Sequence, residues 1–334
     1  MMKVRGFLLL LFVASLNVYA DPYDIKDLDL NSNDVKLSLM GEMEGRSIIL
    51  KIKDTQDNKL GVFKPTSGST LHRGEYAMSK LGEMVGLDLY PKAELKSLTP
   101  KTQKKVMALL EWVRFDKYSS RKEQNRQIMM EELKKNIDDD VALEGTFKPW
   151  YTNFQFYLPL GTVEGLKKHV VYKYMKASSV QPPHKRFLLK QCTQLLEPKG
   201  CTSGYTHIDD LAHDMSSIML LDAVMGNNDR FPGGNVHFRI ITGKDARLFS
   251  LDNGAVLKPK DKTALNILKD LGITRFVKQY VDRLYEIRNM DKKELRKDLG
   301  LSPEEFEIFL GNLTDTLQYL DEIKAKYGDK IWFK

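Results

Sequence analysis

Lys64, Glu75, Asp229 and Asp252 are the residue types that phosphate chemistry requires, and their order along the chain carries as much information as their identity. Phosphoryl transfer needs a cation on the phosphates, a carboxylate for a divalent metal and a carboxylate to take a hydroxyl proton. Lys64 ends the strand-like run GVFKP, where its ammonium can reach the α- and β-phosphates of a nucleotide. Glu75 opens a helical pattern eleven residues later, where it can pair with Lys64 and orient it. Asp229 lies in MGNNDRFPGGN, a Gly/Asn/Pro loop behind a long apolar helix, as a catalytic base would. Asp252 follows an apolar strand in LFSLDNGAV and is placed to hold metal. Singly, each has an ordinary reading: a lone Lys or Glu is a solvated charge, and Asp-Asn-Gly is a turn. Their joint order, and the apolar strands leading into them, point to phosphoryl transfer.

The elements that must position these residues follow from periodicity. Residues 35 to 65 alternate and are rich in branched side chains, with a turn at Asp57-Asn58-Lys59, so a small antiparallel sheet is expected. Glu75 to Val85 has helical spacing and stops at Gly86. Residues 99 to 140 read as polar helix and as a surface insertion, and Phe154 to Leu160 as a strand. His207 to Val224 reads as an amphipathic helix, 235–241 and 247–251 as short strands, and the chain from Lys262 onward as helical. Ser302, Pro303 and Glu305 form a capping-box helix start. No internal repeat is apparent. The expected fold class is α+β: a bilobal, protein-kinase-like fold with a strand-rich N-lobe at 21–160, carrying a helical insertion, and a helical C-lobe at 161–334, with a nucleotide in the cleft between them.

The sequence resembles the secretory-pathway kinases that include the Golgi casein kinase, the proteoglycan xylose kinase and Four-jointed. The likeness rests on GVFKP at 61–65, GEYAMSKLGEMVGL at 74–87, FQFYLPLG at 154–161, MLLDAVMGNNDR at 219–230 and LDNGAVL at 251–257. Actin-fragmin and phosphoinositide kinases share a looser version. The resemblance implies ATP as phosphate donor and Mg²⁺ or Mn²⁺ as metal. It assigns Lys64 to the phosphates, Glu75 to Lys64 or metal, Asp229 to catalysis with Arg230 supporting its loop, and Asp252 to metal. The backbone near Gln155, Phe156 and Leu158 would face the adenine. Asn235 is the second metal candidate, although it stands sixth after Asp229 where protein kinases place asparagine fifth. Phe231 stands where the family carries histidine. The implied reaction is γ-phosphate transfer to a hydroxyl of a protein or glycan; a lipid kinase, for which Lys258, Lys260 and Lys262 would be the basic segment, and a pseudokinase-type binding protein are the alternatives.

Composition narrows the setting. The chain has 334 residues, 42% hydrophobic and 29% charged, which excludes disordered, collagen-like and disulfide-scaffold classes. Lys3 and Arg5, the apolar run Phe7 to Leu16, and Val18 and Ala20 before Asp21 form a cleavable signal peptide at 1–20. That run is too short for a membrane span, so an exported protein without a transmembrane anchor is expected. The formal net charge of +7 is diffuse, and nucleic acid is not expected as a partner. In an oxidising compartment Cys192 and Cys201, the only cysteines, are expected to form a disulfide closing one loop. Gly41 and Gly45 are loosely spaced and do not match GxGxxG; a phosphate-covering loop and a hairpin tip without ligand are equal readings of them.

Overall fold

The structure, a computed structural model, describes residues 26–40, 48–66, 72–113, 120–152, 154–193, 200–231, 235–257 and 264–334. The expected signal peptide, Gly41 and Gly45, and Lys258, Lys260 and Lys262 lie outside these residues. Among the described residues no helix is long and apolar enough to cross a membrane.

The N-lobe is one antiparallel sheet of β1 (Val35–Leu39), β2 (Leu50–Asp54), β3 (Lys59–Pro65), β4 (Glu94–Leu98) and β5 (Leu143–Pro149), in the order β1-β2-β3-β5-β4. Between its strands run α1 (His72–Val85), α2 (Pro100–Trp112) and α3 (Ser120–Asp138). The turn into β3 forms because the Asp54 carboxylate accepts hydrogen bonds from the backbone of Gln56 and Asn58, at 2.9 and 2.8 Å. Asp57 takes the left-handed conformation there, at φ 67°.

A short repeat, contrary to the expectation of none, organises the middle of this sheet. GVFKP at 61–65 recurs as GTFKP at 145–149. The two pentapeptides pair antiparallel about a local twofold, Phe63 opposite Phe147, Gly61 opposite Pro149 and Pro65 opposite Gly145. Alternation puts both phenylalanines on one face and Lys64 and Lys148 on the other. The glycines let each ring lie flat on the opposite strand, because a Cβ on Gly61 would fall 2.4 Å from the Phe147 ring and one on Gly145 2.3 Å from the Phe63 ring.

The phenylalanine face is covered by the α2–α3 pair. Val106, Leu110, Met129 and Leu133 are fully buried with Phe63, Phe147, Leu98 and Leu143. The polar helices therefore form one side of the N-lobe core, and the expectation of a surface insertion is corrected. Their sparse apolar positions fall on one stripe each, which is all that a single sheet face requires.

The second lobe contains more strand than expected. β6 (Phe154–Phe156), β7 (Arg186–Thr193), β8 (Gly200–His207), β9 (Val236–Thr242) and β10 (Asp245–Ser250) form a sheet in the order β6-β9-β10-β8-β7. The hairpin β7–β8 was not legible as strand, and it sets Cys192 directly opposite Cys201, whose side chains lie outside the described residues. The helices are α4 (Val163–Lys168), α5 (Ile208–Met225), α6 (Ala264–Asp270), α7 (Lys278–Arg288), α8 (Lys292–Asp298) and α9 (Pro303–Tyr327), the last opened by the expected capping box. α5 is buried on nearly every side rather than on one stripe, so its two internal acids must be paired. Asp214 meets Arg247, and Asp222 meets Arg230. Arg275, among the largest fully buried side chains, donates among the described residues only to backbone carbonyls, those of Tyr174, Val180, Ser179, Lys330 and Ala177, at 2.8, 2.9, 2.5, 3.2 and 3.5 Å.

Replacing Gly145 by alanine should destabilise the protein by about 1–3 kcal/mol, the usual cost of overpacking a core. Urea unfolding checks this; because the added Cβ would also fall 2.5 Å from the Lys64 carbonyl oxygen, a wild-type midpoint would show that the β3–β5 backbone can shift as well as the Phe63 ring.

Candidate active site

The lysine face of the β3–β5 pair supplies the charged wall of the site. Lys64 and Lys148 both donate to Glu75 Oε1, at 2.6 and 3.0 Å, and Lys64 also meets the Asp252 carboxylate. Glu75 arrives in the first turn of α1, whose apolar residues Ala77, Met78 and Leu81 pack into the C-lobe core. Burial alone would raise the Glu75 carboxyl, but the charges of Lys148 and Lys64 outweigh it and hold it well below the carboxylate range. Burial likewise works against the Lys64 ammonium, and Glu75 and Asp252 overcome it, so Lys64 stays charged. For Lys148 burial prevails, aided by the Lys64 charge, and its affinity for a proton falls below that of an ordinary lysine. The sequence reading joined Lys64 to Glu75 and missed Lys148; the repeated Gly-x-Phe-Lys-Pro was the available signal.

The loops opposite are held by Arg230. Its guanidinium donates from Nε and Nη2 to the two Asp222 oxygens, at 2.8 and 2.7 Å, from Nη1 to the Asn235 carbonyl at 2.7 Å, and from Nη2 to Asn253 Oδ1 at 2.8 Å. Ser250 completes the network by donating to Asn253 Oδ1 at 2.8 Å. Asn227 also donates to Asp222, at 2.9 Å, and accepts from the Asp229 backbone. One buried cation therefore ties α5, the loop carrying Asp229, the start of β9 and the loop carrying Asp252. Asp222 was missed as well, although an acid inside the apolar run IMLLDAVM demands a partner.

Within this frame the Asp229 side chain makes no hydrogen bond or ion pair among the described residues, while Asn235 Nδ2 donates to its carbonyl at 3.2 Å. Asp252 is 59% exposed and sits at φ 53°, a left-handed conformation that non-glycine residues seldom adopt outside functional loops. Phe231 is buried in the C-lobe core.

A cleft of ≈ 300 Å³ runs between the lobes. Lys64, Lys148, Asn235 and Asp252 line it together with an apolar set that includes Ile49, Val62, Tyr151, Phe156 and Leu251. Of the three residues expected near an adenine, Phe156 lines the cleft and packs on His237, with ring centroids 4.2 Å apart. Gln155 and Leu158 are not among its walls; Leu158 is 58% exposed in a short 3₁₀ turn. Pro149, Trp150 and Tyr151, on the segment that joins the two sheets, line it instead.

The donors available to a divalent metal are hard oxygens. No three His, Cys, Asp or Glu side chains among the described residues form a ready-made cage. Mg²⁺ in kinase sites rests on one or two carboxylates and on the substrate phosphates, so a cage is not required. The exposed Asp252 carboxylate and the Asn235 amide on the cleft wall fit that pattern, and Glu75 Oε2 takes no hydrogen bond from the described residues.

A strand-rich lobe with a lysine–glutamate pair, a helical lobe with two acid-bearing loops and a cleft between them define a bilobal kinase-like fold. Among solved structures the chain is similar to the Golgi casein kinase, with a TM-score of 0.55 and 15% identity over 90% of this chain and 76% of that one. The same kinase with Mn and ADP bound gives 0.57 and 14%, over 91% and 77%. Hydra Fam20 with sugar gives 0.54 and 13%, over 89% of each chain. The fold is thus that of the Fam20-like atypical kinases. No family model matches the chain, nor does any curated protein.

Burial, with the Arg230 charge, pushes the His237 imidazole down to about 4. The unfolded chain, with histidine near 6.5, binds that proton first, so stability falls as pH drops from about 6.5 towards about 4. At pH 5.5 unfolding should be easier than at pH 7 by about 1.2 kcal/mol from this group. Denaturant titrations at the two values should show the difference, and His237→Gln should shrink it.

Proposed function

We propose that the protein is an exported, ATP-dependent kinase that transfers the γ-phosphate to a hydroxyl of a protein or glycan, with Mg²⁺ or Mn²⁺. The observation that carries this reading is the buried Lys64–Glu75 pair reaching Asp252 across an apolar-walled cleft, with Asp229 on a loop braced from the same side. Lys64 holds the phosphate chain, and Asp252 with Asn235 holds the metal. The metal would neutralise charge on the phosphates. The acceptor oxygen attacks the γ-phosphorus, the bond from that phosphorus to the β–γ bridging oxygen breaks, and Asp229 receives the hydroxyl proton as ADP leaves. Arg230 touches none of the reacting atoms; it positions the loops of Asp229 and Asp252.

The similar structures support the details unevenly. One neighbour holds Mn and ADP, which favours a nucleotide with a divalent metal in this cleft. One is a casein kinase of the Golgi and another holds a sugar, which keeps both protein and glycan acceptors in view and suits export.

Thermal unfolding with ATP and Mg²⁺ or Mn²⁺ tests the reading. Ligand at about 100-fold over Kd should add about 2.7 kcal/mol, a rise of a few degrees, and Asp252→Ala should lose it. Asp229→Asn should keep the shift yet slow transfer by roughly 10²- to 10⁴-fold. Absence of any nucleotide-dependent shift in the wild type would overturn the proposal.

A Cys192–Cys201 disulfide belongs to the same reading of an exported protein. Directly opposed antiparallel residues have Cα atoms about 4.5–5.5 Å apart, within the range that a disulfide spans. The double variant Cys192→Ser, Cys201→Ser should lose about 2–3 kcal/mol of stability. Its nucleotide-induced shift should be unchanged, since no described residue of the hairpin lines the cleft. Unaltered stability would rule the bridge out.

A further inference from the structure

The cleft holds more positive charge than one lysine–glutamate pair explains. Lys64 and Lys148 face two carboxylates, Glu75 and Asp252, so the four groups balance as they stand. The balance is conditional. Asp252 is the exposed member and the one offered to metal; once it turns away from Lys64, two buried ammonium groups share the single charge of Glu75. One fixed cation is then uncompensated in the cleft wall, and a buried unpaired charge is costly until an anion meets it.

We propose that Lys148 is a second phosphate-binding cation, so that the oligophosphate of a nucleotide lies against two lysines rather than on Lys64 alone. The inference rests on the nucleotide reading of the cleft given above. Three observations support it. Lys148 lines the cleft in its own right. Its Nζ and that of Lys64 converge on the same oxygen, Glu75 Oε1, which brings them close enough for one phosphate chain to touch both. Among the described residues Lys148 pairs with one carboxylate, Glu75, where Lys64 pairs with two, so a phosphate would add negative charge where less of it is fixed. The local twofold explains how the second cation arises: Gly-x-Phe-Lys-Pro on β5 presents its lysine to the same face as Gly-x-Phe-Lys-Pro on β3.

The rival role, a counter-charge that merely steadies Glu75, acts on phosphates only through Lys64, so in a Lys64→Met background Lys148→Met should cost no further ATP affinity under that role and should still cost it under the proposal. Calorimetric titrations of the mature protein with ATP, ADP and adenosine, all with Mn²⁺, separate the two. Lys148→Met should weaken ATP and ADP by about 10- to 100-fold, the worth of one charge-assisted hydrogen bond, and leave adenosine unchanged. Lys148→Arg should keep most of the phosphate-dependent affinity. Urea unfolding without ligand checks that each variant is folded, and Lys148→Gln replaces the methionine variant if that one is not. Wild-type affinity for ATP in a folded Lys148→Met or Lys148→Gln protein would overturn the inference while leaving the kinase reading intact. An equal loss for adenosine and ATP would overturn it, because the loss would then not depend on the phosphates. A wild-type protein that binds no nucleotide would remove the kinase reading and this inference with it.

Discussion

An ammonium group can be buried in the wall of a cleft only if an anion is fixed beside it, and much of the architecture follows from meeting that condition at Lys64. The anion, Glu75, comes from α1, the helix whose other face packs in the core of the C-lobe. The charge pair therefore does more than settle an electrostatic cost. It joins the N-lobe sheet to the helix that belongs energetically to the other lobe, and Lys64 extends the join to Asp252. The lysine side of the sheet is free for this role because the opposite side, with Phe63 and Phe147, is sealed by α2 and α3.

Arg230 solves the corresponding problem on the far side of the cleft. The two carboxylates proposed for chemistry sit in irregular loops, and irregular backbone has little intrinsic rigidity. A fully buried guanidinium with donors in a planar fork can fix several partners at once, which a lysine cannot. Here it spans Asp222, Asn235 and Asn253, and so connects a rigid helix to residues adjoining both Asp229 and Asp252. The left-handed backbone at Asp252 is maintained between anchors on either side, Arg230 through Asn253 and Lys64 at the carboxylate itself.

What the sequence disclosed and what it hid divide along physical lines. Lys64, Glu75, Asp229 and Asp252 were visible because local patterns carry them: a strand end, a helix start, two turn-rich loops. The N-lobe strands around Asp57, the start of α9 at Ser302 and the stop of α1 at Gly86 were visible for the same reason. Lys148 and Asp222 depend on partners distant in the chain, Glu75 and Arg230, and neither stands in a turn motif. The β7–β8 hairpin was obscured because its cysteines suggested a closed loop, which drew attention from the strands carrying them. The role of α2 and α3 was misjudged because their charged residues outnumber the few apolar ones that cover the sheet. The segment along the cleft was placed slightly late, at 155–158, where the structure puts Pro149, Trp150 and Tyr151 on the wall with Phe156.

Arg275 has a consequence of another kind. The buried cations Lys64, Lys148 and Arg230 are matched by carboxylates, which acid can neutralise. Among the described residues Arg275 is matched by carbonyls alone, from the segment 174–180 and from Lys330. Neither a guanidinium nor a peptide carbonyl changes protonation in any compartment a cell maintains. The knot that fastens the chain's last turn to the body of the C-lobe is thus indifferent to acidification. Acid strong enough to protonate the carboxylates of the other buried joints would leave this one at full strength.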